Sequence, residues 1–122
     1  MPKKVLIIDD SSSVRRQLSA ALGNAGFVVL EAADGVEGAD QIRAETDLAL
    51  VICDVNMPRL SGLDMLERLQ DEIARRQLPV VMLTTEGQPE AMTRAKKWGA
   101  KGWIVKPFKE QLLLGAVQKL TQ

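Results

Sequence analysis

The 122-residue chain contains no histidine, no tyrosine, one cysteine and only two Phe and two Trp. Without histidine there is no Ser/His/Asp or Cys/His triad and no His-ligated metal site. Nor is the chain itself a phosphohistidine donor. The single Cys53 lies inside an apolar run, which argues against disulfides and for a reducing, cytoplasmic setting. The longest uninterrupted hydrophobic run, Leu48–Cys53, has six residues, against about 20 needed to span a bilayer. No signal peptide opens the chain. Lys+Arg and Asp+Glu both number 16, so no net charge draws it to nucleic acid or a membrane surface. The glycine loops that cradle nucleotide phosphates, G-x-G-x-x-G and G-x-x-x-x-G-K-[ST], are absent.

What the sequence does have is alternation. Five short apolar runs read as strands: Val5–Ile8, Phe27–Leu30, Leu48–Cys53, Pro79–Leu83 and Gly102–Val105. Each is followed by a segment of helical periodicity. The first helix starts among Ser11, Ser12 and Ser13 and stops at Gly26; the second spans about Val36 to Ala44. Leu63, Leu66, Leu69 and Ile73 mark the third; the fourth starts at Pro89, carries Trp98 and closes at Gly99; the fifth runs from Glu110 to about Leu120. Strict strand–helix alternation with continuous apolar strands predicts an α/β fold, a parallel sheet covered by helices on both faces. Chemistry in such sheets gathers at the carboxyl ends of the strands.

Those ends carry Asp9 and Asp10, then Asp54, Thr84 and Lys106. Taken singly, the first two read as helix caps, the threonine as turn chemistry and the lysine as a solvated side chain. Their coincidence just past four separate apolar runs is what predicts a site. Two carboxylates about 4 Å apart at an effective dielectric near 20 repel by roughly 4 kcal/mol. Such a cluster therefore needs cations, and with only oxygen ligands on offer the expected metal is hard, such as Mg²⁺. An aspartate is an established phosphoryl acceptor. Asp54 with Mg²⁺, Lys106 and Thr84 thus describes phosphoryl transfer onto Asp54.

The motifs Val5-Leu-Ile-Ile-Asp-Asp10, Ser13-Val-Arg-Arg16, Glu31-Ala-Ala-Asp-Gly35, Asp54-Val-Asn-Met-Pro58 with Gly62, Leu83-Thr84 and Gly102-Trp-Ile-Val-Lys-Pro-Phe108 are dense and ordered. The chain resembles the receiver domains of two-component response regulators, most closely the CheY-like single-domain chemotaxis regulators. The resemblance covers Val5 to Leu120. It implies a flavodoxin-like doubly wound sheet of five parallel strands in the order 2-1-3-4-5, with five helices, in one receiver domain over residues 1–122. It implies that Asp54 is phosphorylated and that Asp10 and Asp54 ligate Mg²⁺ directly. The backbone carbonyl of Asn56 would be a third ligand, and Asp9 would act through water. Lys106 would pair with the phosphoryl group and Thr84 would hydrogen-bond it. Lys106-Pro107 is expected to be cis. Asn56 and Glu86 occupy the positions that tune dephosphorylation. Two departures stand out: Trp103 sits where Tyr or Phe is usual for the switch aromatic, and Val55 follows the acceptor where some relatives have Trp.

Six basic residues and no acidic one lie between Arg94 and Lys109, with Trp98 and Trp103 among them. They read either as a solvated face over a core Trp98 or as an output surface, including Lys96, Lys97, Lys101 and Trp103, for an acidic partner. The expected function is a phosphorylation-dependent switch. It would be charged by a chemotaxis-type sensor histidine kinase and would dock on the flagellar motor switch protein or another target, with a phosphatase as a further partner. The chain is expected to be a monomer and no enzyme beyond self-catalysed phosphoryl acceptance and autodephosphorylation. A phosphate sink or phosphorelay intermediate without a motor target is the alternative. An aspartyl-phosphate phosphatase is a weaker one, since Asn56 stands where such enzymes need a second acid and no substrate cap follows.

Overall fold

The computed structural model describes residues 2–85 and 89–122. The strands are β1 (Lys4–Ile8), β2 (Val28–Ala32), β3 (Leu48–Asp54), β4 (Val80–Thr84) and β5 (Ala100–Val105). The helices are α1 (Ser12–Asn24), α2 (Gly35–Ala44), α3 (Gly62–Arg76), α4 (Pro89–Lys97) and α5 (Glu110–Leu120). All strand pairs are parallel and the sheet order is β2-β1-β3-β4-β5, as expected. No helix among the described residues is long and apolar enough to cross a membrane.

The unbroken apolar strands divide their side chains between two cores, because successive residues of a strand point to opposite faces. Leu6, Ile8, Val51, Cys53, Val80 and Met82 pack with Ile42 of α2, the Leu63, Leu66, Leu69 and Ile73 stripe of α3, and Ala91 and Ala95 of α4. Val5, Ile7, Leu50, Ile52, Val81 and Leu83 face the other way, onto Leu18 and Leu22 of α1 and Leu113 and Val117 of α5. Each fully buried aliphatic side chain contributes roughly 1.5–3 kcal/mol.

Local chemistry ends the helices where the sequence says. Ser11 accepts the Val14 N–H at the start of α1, Asp34 accepts the Glu37 N–H at α2, and Ser61 accepts the Asp64 N–H at α3. Gly26, at φ +95°, completes the exit from α1: its N–H bonds the Gly23 carbonyl while that of Phe27 bonds Leu22. That pairing engages carbonyls of the last turn and needs a left-handed residue.

Most strand boundaries differ from expectation by one or two residues, and three elements show why. The second strand begins at Val28 and runs on to Ala32, because parallel pairing with β1 continues through Ile7↔Glu31 and Ile8↔Ala32. The fifth begins at Ala100, paired to Val80 ahead of a register shift between Val80 and Val81. The fourth helix ends at Lys97, so Trp98 lies just beyond it, although its N–H still bonds the Arg94 carbonyl.

Candidate functional site

Register brings the chemistry-bearing strand ends together. Ile8 pairs with Cys53, Asp54 with Leu83 and Thr84 with Val105. The residues that follow Ile8 and Val105, namely Asp9 and Lys106, therefore come out beside Asp54 and Thr84. Asp9, Asp10 and Asp54 each offer a carboxylate oxygen within 4.8 Å of the others. Asp9 is fully buried, Asp54 is buried and Asp10 is exposed. Lys106 Nζ donates to Asp9 Oδ2 at 2.8 Å and stands 3.6 Å from Asp54 Oδ1. Thr84 is buried, and its carbonyl accepts the Lys106 N–H at 2.6 Å. The Lys106-Pro107 bond is cis, as expected.

The electrostatics follow from this crowding. Burial pushes the Asp54 carboxyl from an ordinary 3.8 up to about 6; Asp9 adds to the rise, Lys106 opposes it, Asp10 adds a little, and the Asn56 backbone N–H pulls it down. Burial pulls Lys106 down, but its hydrogen bond to Asp9 and the charges of Asp54 and Asp9 more than offset that, so its affinity for the proton is raised. Lys106 is thus a fixed cation at neutral pH. Burial likewise raises the thiol of Cys53, which stays protonated and inert beside the site.

The donor set fits a divalent hard cation. Every candidate ligand atom is oxygen, and three carboxylates against one lysine leave two negative charges to be neutralised. Close packing supports the same corner. A Cβ on Gly62 would collide with the Asp54 backbone carbonyl, and Gly62 N–H bonds the Val55 carbonyl at 2.9 Å, so α3 begins directly under Asp54.

Comparison with known proteins adds a second line. A family model described as response regulator receiver domain matches residues 5–118. The chain belongs to the response regulator receiver domain family. Chemotaxis protein CheY1 of Helicobacter pylori is 39% identical over 111 residues, which are 90% of each chain. A chemotaxis protein CheY homolog of Campylobacter jejuni is also 39% identical over 111 residues, 90% of this chain and 85% of its own. Among solved structures, Vibrio cholerae chemotaxis protein CheY4 superposes with a TM-score of 0.90 at 38% identity, covering 98% of this chain and 99% of that one. A CheY-like receiver domain protein of Methanospirillum hungatei gives 0.90 at 27%, covering 98% and 94%.

In this receiver domain, Asp9, Asp10, Asp54 and Lys106 meet as the sequence predicts, with Thr84 at the adjoining strand end. Asn56 is exposed and touches the acceptor through its backbone N–H. Glu86 lies outside the described residues. Trp98 is core, 8% exposed, with the Arg94 guanidinium 4.9 Å from its ring centre. Trp103 is half-buried against the α2–α3–α4 core, and its shielded indole N–H finds no acceptor among the described residues. Lys96, Lys97 and Lys101 are exposed, and with Met92, Ala95 and Trp103, Lys96 and Lys101 rim a small cavity of about 60 Å³ between α4 and β5.

Sequence reasoning missed two supports. Arg15 Nη1 donates to the Asp9 backbone carbonyl at 2.6 Å. Asp34, the N-cap of α2, pairs with Arg59 at 3.0 Å and so ties α2 to the loop after β3. Arg15 lies inside the quoted Ser13–Arg16 motif, which was the one available signal. For Arg59 there was none.

Proposed function

We propose that this receiver domain is a phosphorylation-dependent switch in which Asp54 accepts a phosphoryl group from a sensor histidine kinase of the chemotaxis type. The reading is carried by one observation, the meeting of three carboxylates and a protonated lysine at the carboxyl edge of the sheet. Mg²⁺ is the proposed cofactor: Asp10, Asp54 and the Asn56 carbonyl would hold it, with Asp9 acting through water, and it would supply charge neutralisation for the phosphoryl oxygens. A carboxylate oxygen of Asp54 forms the new O–P bond as the P–N bond to the donor imidazole breaks. Lys106, 3.6 Å from Asp54 and always charged, moves from Asp9 to a phosphoryl oxygen. The Thr84 hydroxyl donates to another. Asn56 and Glu86 govern how quickly water removes the group, and no other substrate is turned over.

Output is proposed to pass through Trp103 to the exposed face of α4, β5 and α5, where Lys96, Lys97 and Lys101 receive an acidic segment of a partner. The names of the relatives point to chemotaxis, and the flagellar motor switch is the proposed docking target. A phosphate sink shares the chemistry but has no docking target, and a pull-down with and without phosphorylation separates the two. The central claim is tested by mass measurement after incubation with acetyl phosphate and Mg²⁺. Wild type gains one phosphoryl group and Asp54→Asn gains none; equal labelling of both would refute the assignment.

A further inference from the structure

Asp9 is held at every polar atom it has. Its N–H bonds the Ala32 carbonyl of β2 at 3.1 Å, Oδ1 accepts the Ser11 N–H at 2.9 Å, and Oδ2 accepts from Lys106 at 2.8 Å. The remaining atom, its backbone carbonyl, accepts from Arg15 Nη1 at 2.6 Å. Arg15 is itself tethered: Nε lies 3.2 Å from Glu31 Oε1, and its side chain is only 19% exposed. Glu31, on β2, is fixed in turn by Ser19 Oγ at 3.1 Å on Oε2 and by Gln41 Nε2 at 2.6 Å on its carbonyl. A relay of residues from α1, β2 and α2 thus ends, through Arg15, on one peptide group, the bond between Asp9 and Asp10.

We propose that Arg15, anchored by Glu31, is a positioning residue that holds the Asp9–Asp10 turn at the spacing a divalent cation requires. Charge-assisted bonds are the strong ones, and this one acts on backbone geometry rather than on a ligand atom. Partners that orient metal ligands without touching the metal typically contribute 10- to 100-fold in affinity. The inference rests on the metal reading above and adds a residue to it.

Geometry and charge predict opposite signs, which makes the role testable. Removing a nearby positive charge would by electrostatics alone tighten cation binding; removing a positioning bond loosens it. The probe is Mn²⁺, a hard oxygen-seeking ion, with free ion counted by electron paramagnetic resonance on the intact chain. Arg15→Met is expected to raise the Mn²⁺ Kd by about tenfold. Arg15→Lys keeps the charge but cannot span both Asp9 and Glu31, and is expected to fall between Arg15→Met and wild type. In metal-free protein the Ser11 amide should exchange faster in both variants. An Arg15→Met variant that binds as tightly as wild type or tighter overturns the proposal, and if it does not fold, Arg15→Lys binding equal to wild type does so. A wild type that takes up no Mn²⁺ would instead refute the metal reading, and this inference with it.

Discussion

Replacing Asp54 with Asn should stabilise the metal-free protein, and only above a certain pH. The acceptor titrates near 6 in the folded chain against an ordinary 3.8, a rise of about two units caused first by burial and then by Asp9. At 1.36 kcal/mol per unit the full shift corresponds to about 3 kcal/mol. The acceptor side chain is 10% exposed, so solvent at the rim screens part of this, and about 1–3 kcal/mol is expected. The sign follows from proton counting: between 3.8 and 6 the folded chain holds the proton more tightly than the unfolded one, so stability falls as pH rises through that window. Below about pH 3 the carboxyl is protonated in both the folded and the unfolded chain and the contribution vanishes. Urea unfolding in EDTA, followed by Trp98 and Trp103 emission, should therefore show Asp54→Asn matching wild type at about pH 3. At pH 7.5 it should be more stable by about 1–3 kcal/mol. Saturating Mg²⁺ should narrow the gap, since it binds the folded wild type. A variant no more stable than wild type at pH 7.5, or a gap that ignores pH, would refute the reasoning.

Lys106→Met removes the 2.8 Å partner of a fully buried Asp9 and should cost about 3–5 kcal/mol, most of it regained in Asp9→Asn/Lys106→Met; a loss under about 1 kcal/mol by urea unfolding would count against it. Gly62→Ala drives a methyl into the Asp54 carbonyl and should cost about 1–3 kcal/mol while slowing phosphoryl uptake. Gly23→Ala, in open space on α1, should gain about 0.5–1 kcal/mol and leave uptake unchanged. Lys96, Lys97 and Lys101 changed together to Glu should leave melting and phosphorylation intact but abolish capture of the acidic partner by the phosphorylated protein. Trp103 emission should shift on phosphorylation, and a flat signal would mean that output bypasses that side chain.

The elements were legible because each leaves a periodic trace. Continuous apolar strands demanded a sheet buried on both faces, and the two cores divide Val5 and Ile7 from Leu6 and Ile8 as that demands. The acids were legible because an ionisable group ending an apolar run has no packing reason to be there. Strand ends were less so: Glu31 and Ala32 look like loop residues until β1 lies beside them. Apart from the motif that holds Arg15, side-chain ties across the fold left no trace. Arg59 reaches Asp34, and Arg76 reaches the Ile42 and Glu45 carbonyls at 2.6 and 2.7 Å, over separations that no local pattern encodes.

Those silent ties explain how the fold tolerates its own site. Crowded carboxylates repel, and each sits at the end of a strand that could fray to relieve the repulsion. Against this, Asp9 is bonded at its N–H, its carbonyl and both carboxylate oxygens, while α3 closes under Asp54 through Gly62. Asp10, exposed and outside this lattice of bonds, is the acid left freest to adjust to an incoming ion. A site strained in this way responds to charge by rearranging what is least held. Phosphorylation of Asp54 would draw Lys106 away from Asp9, and the movement would reach β5 through the chain, since Lys106 directly follows it, and β4 through the Lys106 N–H bond to the Thr84 carbonyl. The burial and crowding that lower stability at neutral pH thus act on the same side chain that would take up the phosphoryl group.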